Sequence, residues 1–501
     1  MIKVYNTQTR TKEELKTVKP GEVHMYVCGP TVYNYIHIGN ARTFISFDII
    51  RRYMMWRGFD VTFVQNVTDV DDKIIGRANE DGRTAADVAA EFTKAFIDDM
   101  HAAGVLDPDV RPKATEEIDE MIDLVQRLVD TGHAYEAAGD VYFSVRSFPE
   151  YGKLSHRDID EMESGHRDLR AAAISGMGDR KRDPLDFALW KASKPGEPSW
   201  KSPWGMGRPG WHIECSAMSR KYLGLPFDIH GGGADLVFPH HENETAQSEA
   251  AYGVGFANYW LHSGMLQINA EKMSKSLGNF LLLRDVLKTT KAPVLRMLMA
   301  QTHYRSPLDF SEDRLKEAET ALERIAGLAK RLRWAVDNAQ EGQAALQADA
   351  LASAQDAARA EFTAVMDDDF NTAGALGAVF SYVAEVNTLL GDTVATTADV
   401  PALEAAYATL VDLMGVFGIA LEDDADAVEY PQEVCDLAAN LVGFTGGNAA
   451  EAVDALLEAR AQARKERNFA LADQVRDGLT GLGFVIEDTP QGARVTYVPA
   501  F

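Results

Sequence analysis

Val23-His24-Met25-Tyr26-Val27-Cys28-Gly29-Pro30 alternates as a strand does and is stopped by a Gly-Pro pair. After a loop, Phe44, Phe47, Ile49, Ile50, Tyr53 and Met54 recur at helical spacing between Ala41 and Arg57, and Asp60-Val61-Thr62-Phe63-Val64-Gln65 reads as a second strand. Strand, helix and strand in that order predict a βαβ unit, the building block of a parallel doubly wound sheet whose ligands lie beyond the strand C-termini. Cys28 and His37 both fall on that edge.

Working outward, helices are expected near Ala85–Ala103 and Thr115–Asp130, then a strand at Val141–Val145. Glu161–Arg182 is polar, with Gly165, Gly176 and Gly178, and reads as a mobile insertion. Sheet-like and helical segments resume from Phe187 to Leu287. Past Pro307, Ala/Leu/Glu/Arg stretches at helical spacing run to about Leu421, broken at Asp367-Asp368-Asp369 and at Gly391–Asp399, which predicts a helical bundle. From Gly447 one basic helix precedes a hairpin, Phe484-Val485-Ile486 against Arg494-Val495-Thr496-Tyr497, turning at Pro490-Gln491-Gly492. The expected fold is α/β: a Rossmann-like doubly wound parallel sheet over 1–306 with an inserted connective segment at about 110–205, a bundle over 307–425, and a small α+β domain over 447–501.

At 501 residues the chain exceeds one compact core, and its 46% hydrophobic and 25% charged content is that of a globular protein. No apolar run is read as a membrane span and Met1-Ile2-Lys3-Val4-Tyr5-Asn6 lacks a signal-peptide stretch, so a cytoplasmic protein without membrane contact is expected. Three cysteines, Cys28, Cys215 and Cys435, rule out a disulfide framework. A net charge of −26 disfavours unspecific nucleic-acid binding; a specific contact needs a concentrated basic face. Three clusters offer one: Arg180-Lys181-Arg182, Lys330-Arg331-Leu332-Arg333, and the helix carrying Arg460, Arg464, Lys465, Arg467 and Arg476.

Two constellations carry chemistry. His37-Ile38-Gly39-Asn40 opens the first helix, where free N–H groups favour anions, and Lys272-Met273-Ser274-Lys275-Ser276 places two ammonium groups on a small-residue loop. Together they suit the phosphates of ATP, with His37, Asn40, Lys272 and Lys275 neutralising charge as pyrophosphate leaves. The second set is metal-like: Cys28, Cys215, and His240 and Glu244 four apart on one helical face, a donor set that suits Zn²⁺. A hydrolytic zinc motif fits poorly, because Thr245 stands where a second histidine is needed. Gly231-Gly232-Gly233 reads as a strand running into a turn that admits a ligand closely.

Tyr26-Val27-Cys28-Gly29-Pro30-Thr31-Val32, Asn66-Val67-Thr68-Asp69-Val70-Asp71-Asp72-Lys73, Gly210-Trp211-His212-Ile213-Glu214-Cys215-Ser216, Asp228-Ile229-His230-Gly231-Gly232-Gly233 and His240-His241-Glu242-Asn243-Glu244, in that order, resemble the class I aminoacyl-tRNA synthetases, and among them the cysteinyl-tRNA synthetases. Asn40 departs from that class, standing where its second histidine belongs. The resemblance implies ATP-dependent activation of L-cysteine to cysteinyl-adenylate, with Mg²⁺, and transfer to tRNA(Cys) by a monomer. It implies one zinc per chain held by Cys28, Cys215, His240 and Glu244, with the substrate thiolate as a further ligand. Thr68, Trp211, His230 and Asp235 become walls or polar contacts of the amino-acid site, the inserted segment binds the acceptor end, and the small C-terminal domain reads the anticodon with Arg464, Phe469, Asp473 and Arg476 on one side of its helix. The alternative is the related ligase that joins cysteine to glucosaminyl-inositol in thiol biosynthesis, which lacks that domain.

Overall fold

The computed structural model describes residues 1–158, 180–268, 271–272, 281–421, 430–489 and 492–497. Much of Glu161–Arg182, Met273–Ser276 and the Pro490-Gln491 turn lie outside the described residues. Strand β1 (Lys3–Asn6) pairs antiparallel with β2 (Thr11–Glu14). The expected βαβ unit follows as β3 (Glu22–Val27), α1 (Ile38–Trp56) and β4 (Asp60–Gln65), with β3 and β4 parallel from Glu22↔Asp60 to Val27↔Gln65. The helix begins three residues earlier than its apolar periodicity suggests, because His37 caps it.

Between β4 and the next strand of this sheet lie α2 (Asp72–Asp81), α3 (Ala85–Ala102), α4 (Ile118–Asp130), and an antiparallel sheet in the order β5-β6-β7-β9-β8, built from β5 (Ala134–Ala137), β6 (Asp140–Phe143), β7 (Phe187–Ala192), β8 (Trp200–Ser202) and β9 (Gly205–Pro209). The chain then returns through the helix Trp211–Leu223 to β10 (Phe227–Gly233), and through the helix Glu242–Tyr252 to β11 (Ala257–Ser263). The order β11-β10-β3-β4 is fully parallel. From β3 the chain crosses to β4 on one side, and from β10 it crosses to β11 on the other, so the winding reverses between β3 and β10. A crevice opens beyond the C-terminal ends of such neighbours. Cys28 leaves β3 there, and Gly233 ends β10 beside it.

The glycine triplet is strand, which corrects the expected turn: Gly231, Gly232 and Gly233 pair with Leu261, His262 and Ser263. The close approach is by the protein's own groups. A Cβ on Gly231 would meet the Phe47 ring at 2.3 Å, and one on Gly232 would meet His241 Cε1 at 2.8 Å. Gly29 is equally forced, since its Cβ would lie 1.7 Å from the Asn66 carbonyl oxygen.

The short sheet β13-β12-β14 contains β12 (Leu266–Ile268), β13 (Glu271–Lys272) and β14 (Leu308–Phe310). Long helices Glu312–Asp337, Ala348–Met366, Thr372–Leu390 and Val400–Val416 follow. One compact unit comprises Met1–Ile325, Ala358–Phe380 and Asp412–Ile419; the other comprises Ala326–Ala357, Ser381–Val411 and Ala420–Phe501. The Asp367–Asp369 turn belongs to the first unit because it anchors the N-terminal strand. Lys3 N–H donates to Asp367 O at 2.7 Å, Asp369 N–H donates to Lys3 O at 2.8 Å, and Asp369 Oδ1 accepts from Tyr5 N–H at 2.8 Å.

In the second unit Val434, Cys435, Ala452, Leu456, Val475 and Phe484 share a core, which makes Cys435 an apolar packing residue. The expected single basic helix is two, Ala449–Lys465 and Phe469–Gly481: Arg467 turns to φ +62°, and Asn468 caps the second through Leu471 N–H. The hairpin β15 (Phe484–Thr489) and β16 (Gly492–Tyr497) is antiparallel, as expected. Thr372–Leu390, with mean hydropathy 1.3, is long and apolar enough by length and composition to cross a membrane. Its Leu376, Val379, Tyr382, Val383 and Val386 are buried within the protein, as in a core helix.

Candidate active site and metal centre

A cavity of about 390 Å³ occupies the crevice, with Cys28, His37, Asn40, Trp211, Gly233 and Asp235 among its walls. His37 and Asn40 lock each other through the backbone. Asn40 N–H donates to His37 Nδ1 at 3.1 Å, and His37 N–H donates to Asn40 Oδ1 at 3.3 Å. This capping box satisfies two donors of the helix start. Because Nδ1 accepts, the neutral imidazole carries its proton on Nε2, the tautomer that donates to an anion. The backbone N–H of residue 40 thereby fixes the His37 tautomer, while the Asn40 side-chain oxygen holds the His37 backbone N–H, a cap that needs no second imidazole.

Behind the cavity, four elements bring their donors together. The Cys28 and Cys215 sulfurs are 3.6 Å apart, and Cys28 Sγ lies 3.5 Å from Glu244 Oε1. His240 Nε2 is 2.8 Å from the same Oε1. A tetrahedral zinc sets two thiolate sulfurs about 3.8 Å apart and a sulfur and a carboxylate oxygen about 3.5 Å apart. Cys28, Cys215, His240 and Glu244 thus form a buried group whose ligand atoms all lie within 4.8 Å of one another, compatible with a zinc site. A second group shares two of them: Cys28, His230, His241 and Glu244.

Only the first group contains both thiols. Burial pushes the Cys28 thiol well above its usual range, and Cys215 adds to the push. Burial also raises Cys215, but the Cys28 hydrogen bond and His240 override it and bring that thiol down to about 6. For His240 burial favours the neutral ring, yet Glu244 and Cys215 lift it to about 10. Burial likewise opposes ionisation of Glu244, and His230 and His240 hold it well below its usual range. Glu244 is thus held toward its carboxylate and Cys215 toward its thiolate, the forms in which such groups bind a divalent ion. His241, by contrast, is driven neutral by burial and by its histidine neighbours.

The surrounding contacts orient these ligands. His240 Nδ1 lies 2.9 Å from His212 Nδ1, and burial keeps His212 neutral, so His212 accepts and His240 turns Nε2 to the cluster. Trp211 stacks on His240 at 4.2 Å and 23°. His230 Nε2 approaches Glu244 Oε2 at 2.7 Å, while His241 Nδ1 approaches His262 Nε2 at 2.8 Å, and His262 Nδ1 continues to Thr7 Oγ1 at 2.7 Å. Asn66 Oδ1 accepts from Gly29 N–H at 2.8 Å and lies 3.7 Å from Cys215 Sγ.

Trp211 and Asp235, expected as walls of the amino-acid site, line the cavity. Thr68 and His230 do not, among its described walls; both are buried, Thr68 Oγ1 donating to Glu214 Oε2 at 2.6 Å and His230 turning Nε2 to Glu244. Sequence reasoning missed His212, His241, His262 and Asn66. The pairing of His240 with His241 was a visible signal for one of them; Thr7 and His262 lie 255 positions apart, and no local pattern links them.

The family model described as tRNA synthetases class I (C) catalytic domain matches residues 14–320, the DALR domain matches 361–422, and the cysteinyl-tRNA ligase anticodon binding domain matches 448–495. A cysteine–tRNA ligase of Syntrophotalea carbinolica is 50% identical over 495 residues, covering 98% of each chain. The chain belongs to the cysteine–tRNA ligase family. Another cysteine–tRNA ligase, from Solidesulfovibrio magneticus, is 50% identical over 499 residues, covering 98% of this chain and 99% of its own. Likeness of fold extends to a methionyl-tRNA synthetase of Mycobacterium tuberculosis solved with methionyl-adenylate, with TM-score 0.59, 16% identity, and 85% and 98% of the two chains covered.

In this cysteine–tRNA ligase family member, Lys272 pairs through its backbone with Gln267, and Lys275 lies outside the described residues. Phe469 is 61% exposed at the start of its helix. Arg476 is paired with Asp473 at 3.3 Å, and Arg464 with Asp488 at 2.6 Å. The break at Asn468 puts Arg464 on one helix and Phe469, Asp473 and Arg476 on the next, which corrects the expected single face.

Proposed function

We propose that this protein activates L-cysteine with ATP and Mg²⁺ to cysteinyl-adenylate, then transfers the cysteinyl group to tRNA(Cys), as a cytoplasmic monomer. The observation that carries the reading is the pair of sulfurs 3.6 Å apart with Glu244 at 3.5 Å, set behind a cavity that His37 and Asn40 also line. Cys28, Cys215, His240 and Glu244 hold zinc in this reading. Bound zinc supplies a ligand position that a thiolate fills and a hydroxyl fills weakly.

The protein's own residues do the rest. His230 and His212 orient Glu244 and His240, Trp211 walls the amino-acid side, and His37 donates its Nε2–H to phosphate oxygens with Lys272 and Lys275. The family match over 448–495 supports tRNA over an amino sugar as acceptor, and Arg464, Phe469, Asp473 and Arg476 are our candidates for anticodon contact. Cysteine-dependent ATP–pyrophosphate exchange, with zinc measured on the same sample, tests the first half. Charging of tRNA against glucosaminyl-inositol tests the second. Full exchange by metal-free protein would refute the zinc assignment.

A further inference from the structure

The segment carrying His37 is not held by α1 alone. Ile38 N–H donates to Leu281 O at 3.0 Å and Leu283 N–H donates to Ile36 O at 3.1 Å, with His37 and Leu282 facing each other as an antiparallel bridge. Two hydrogen bonds over so few residues make a weak ladder, since an isolated pair of short strands is marginal in water. A side-chain clamp sits at its edge. The Arg284 guanidinium lies 3.8 Å from the centroid of the Tyr35 ring, two residues before His37. Asp99 on α3 holds the guanidinium from the other side, accepting from its terminal nitrogen at 3.0 Å and from Nε at 3.4 Å.

The Tyr35 ring also packs nearly perpendicular to Phe92, likewise on α3, with centroids 5.1 Å apart and an angle of 83°. Phe92 and Asp99 are seven residues apart, two helical turns, so one face of α3 supplies both the apolar and the ionic support. The Arg284–Asp99 pair is largely buried, with side chains 30% and 6% exposed, and a desolvated cation on an aromatic face is stronger than an exposed one. Nothing in the pairing of cap and helix dipole requires this clamp. α1 is already capped by His37 and Asn40.

We propose that Arg284 is a positioning residue: held by Asp99 and laid across Tyr35, it locks the His37 turn to the chain leaving the lysine motif at Leu281. This rests on the proposed adenylation at the cavity for its kinetic consequence, but not for its structural one. A donor that drifts by about 1 Å from a phosphate in the transition state can cost up to about a hundredfold in rate. The metal group is assembled from Cys28 after β3, the helix Trp211–Leu223 and the residues around His240, and no clamp residue belongs to it.

Arg284→Gln and Tyr35→Leu, singly and together, test it in the full-length protein. In both single variants, deuterium uptake at the Ile38 and Leu283 amides should quicken at least about tenfold, while zinc content stays at the wild-type ratio. In pyrophosphate exchange kcat should fall about tenfold or more with the KM for cysteine unchanged. The double variant should fall no further than the worse single one, and Arg284→Lys, which keeps a cation between ring and carboxylate, should recover most of the loss. Unchanged uptake at Ile38 and Leu283 in Arg284→Gln would overturn the clamp, as would additive losses or a kcat that falls only in step with the folded fraction. A wild-type chain without exchange activity would defeat the functional reading instead, and the amide measurement would still decide the clamp.

Discussion

Replacing Glu244 by glutamine keeps the side-chain shape and removes one charge from the centre of the buried cluster. The carboxylate is fully buried; Oε2 meets His230 at 2.7 Å, Oε1 meets His240 at 2.8 Å, and Cys28 Sγ lies 3.5 Å from Oε1. An amide offers one acceptor where the carboxylate offers two, so its NH₂ must face one of the imidazoles or the sulfur. A hydrogen bond to a charged group is worth about 1.5–3 kcal/mol; losing one and weakening the other predicts roughly 3–4 kcal/mol. That agrees with the roughly 3–5 kcal/mol typical when one partner of a buried ionic pair is removed. Zinc should suffer more than the 10–100-fold, as an order of magnitude, that losing a mere supporting contact costs, because the substitution removes an anionic ligand. Urea unfolding of metal-free protein measures the first quantity, and competition with a chromogenic chelator measures the second. If Glu244→Gln kept the wild-type zinc affinity and unfolded within about 1 kcal/mol of wild type, the cluster would not be a metal site built around this carboxylate.

The remaining tests divide the site and the domains. His240→Asn should abolish stoichiometric zinc while His241→Asn retains it, because only the group with His240 contains both thiols; zinc lost in His241→Asn and kept in His240→Asn would shift the assignment to the second group. Asn40→Ala removes the acceptor for His37 N–H and should cost about 1 kcal/mol of stability by urea unfolding, with a fall in exchange kcat that Asn40→Asp, which keeps the cap, partly restores. Truncation before Gly447 should leave pyrophosphate exchange intact and collapse tRNA charging; equal loss of both would make the domain merely structural. Arg460 and Arg464 draw Asp488 down to about 2, below an unfolded value of about 3.9, so the pair stabilises fully above about pH 4 and loses its contribution as pH falls toward about 2. Asp488 is 46% exposed, which limits the effect to about 1 kcal/mol or less, read as a shrinking difference between wild type and Asp488→Asn in urea unfolding on acidification.

What the sequence made legible was local. Alternation over Val23–Cys28 and helical spacing over Ala41–Arg57 define a βαβ unit because each pattern is written within one element. The i,i+4 relation of His240 and Glu244 was readable for the same reason, although the turn before Glu242 is wider than an α-helix. The glycine triplet was misread because three glycines look the same whether the close neighbour is a ligand or Phe47 and His241, and both neighbours are remote in sequence. The basic helix was read through its break because Arg467 and Asn468 carry no proline or glycine signal; the turn depends on a left-handed arginine and an asparagine cap. The chain from Thr7 through His262 to His241 lay beyond periodicity altogether.

Placing the sulfurs at the reversal of winding has a chemical consequence. Cys28 follows β3 and lines the cavity, Gly233 ends β10 and lines it too, and His37 arrives at the start of the helix between β3 and β4, so in the proposed function thiol recognition and phosphate handling share one crevice through different elements. A pocket of fixed shape separates –SH from –OH by only about 1–3 kcal/mol, because the two side chains differ little in size. A site that instead demands an anionic soft ligand uses the gap in acidity between a thiol and a hydroxyl, which is far larger. Under the proposed zinc assignment, discrimination resides in Cys28, Cys215, His240 and Glu244, and the turn with His37 needs no contact with the substrate side chain. Variants of the His37–Asn40 box should therefore slow cysteine activation without admitting serine, and a change in the serine-to-cysteine ratio of exchange in Asn40→Ala would show that the two functions are not separable.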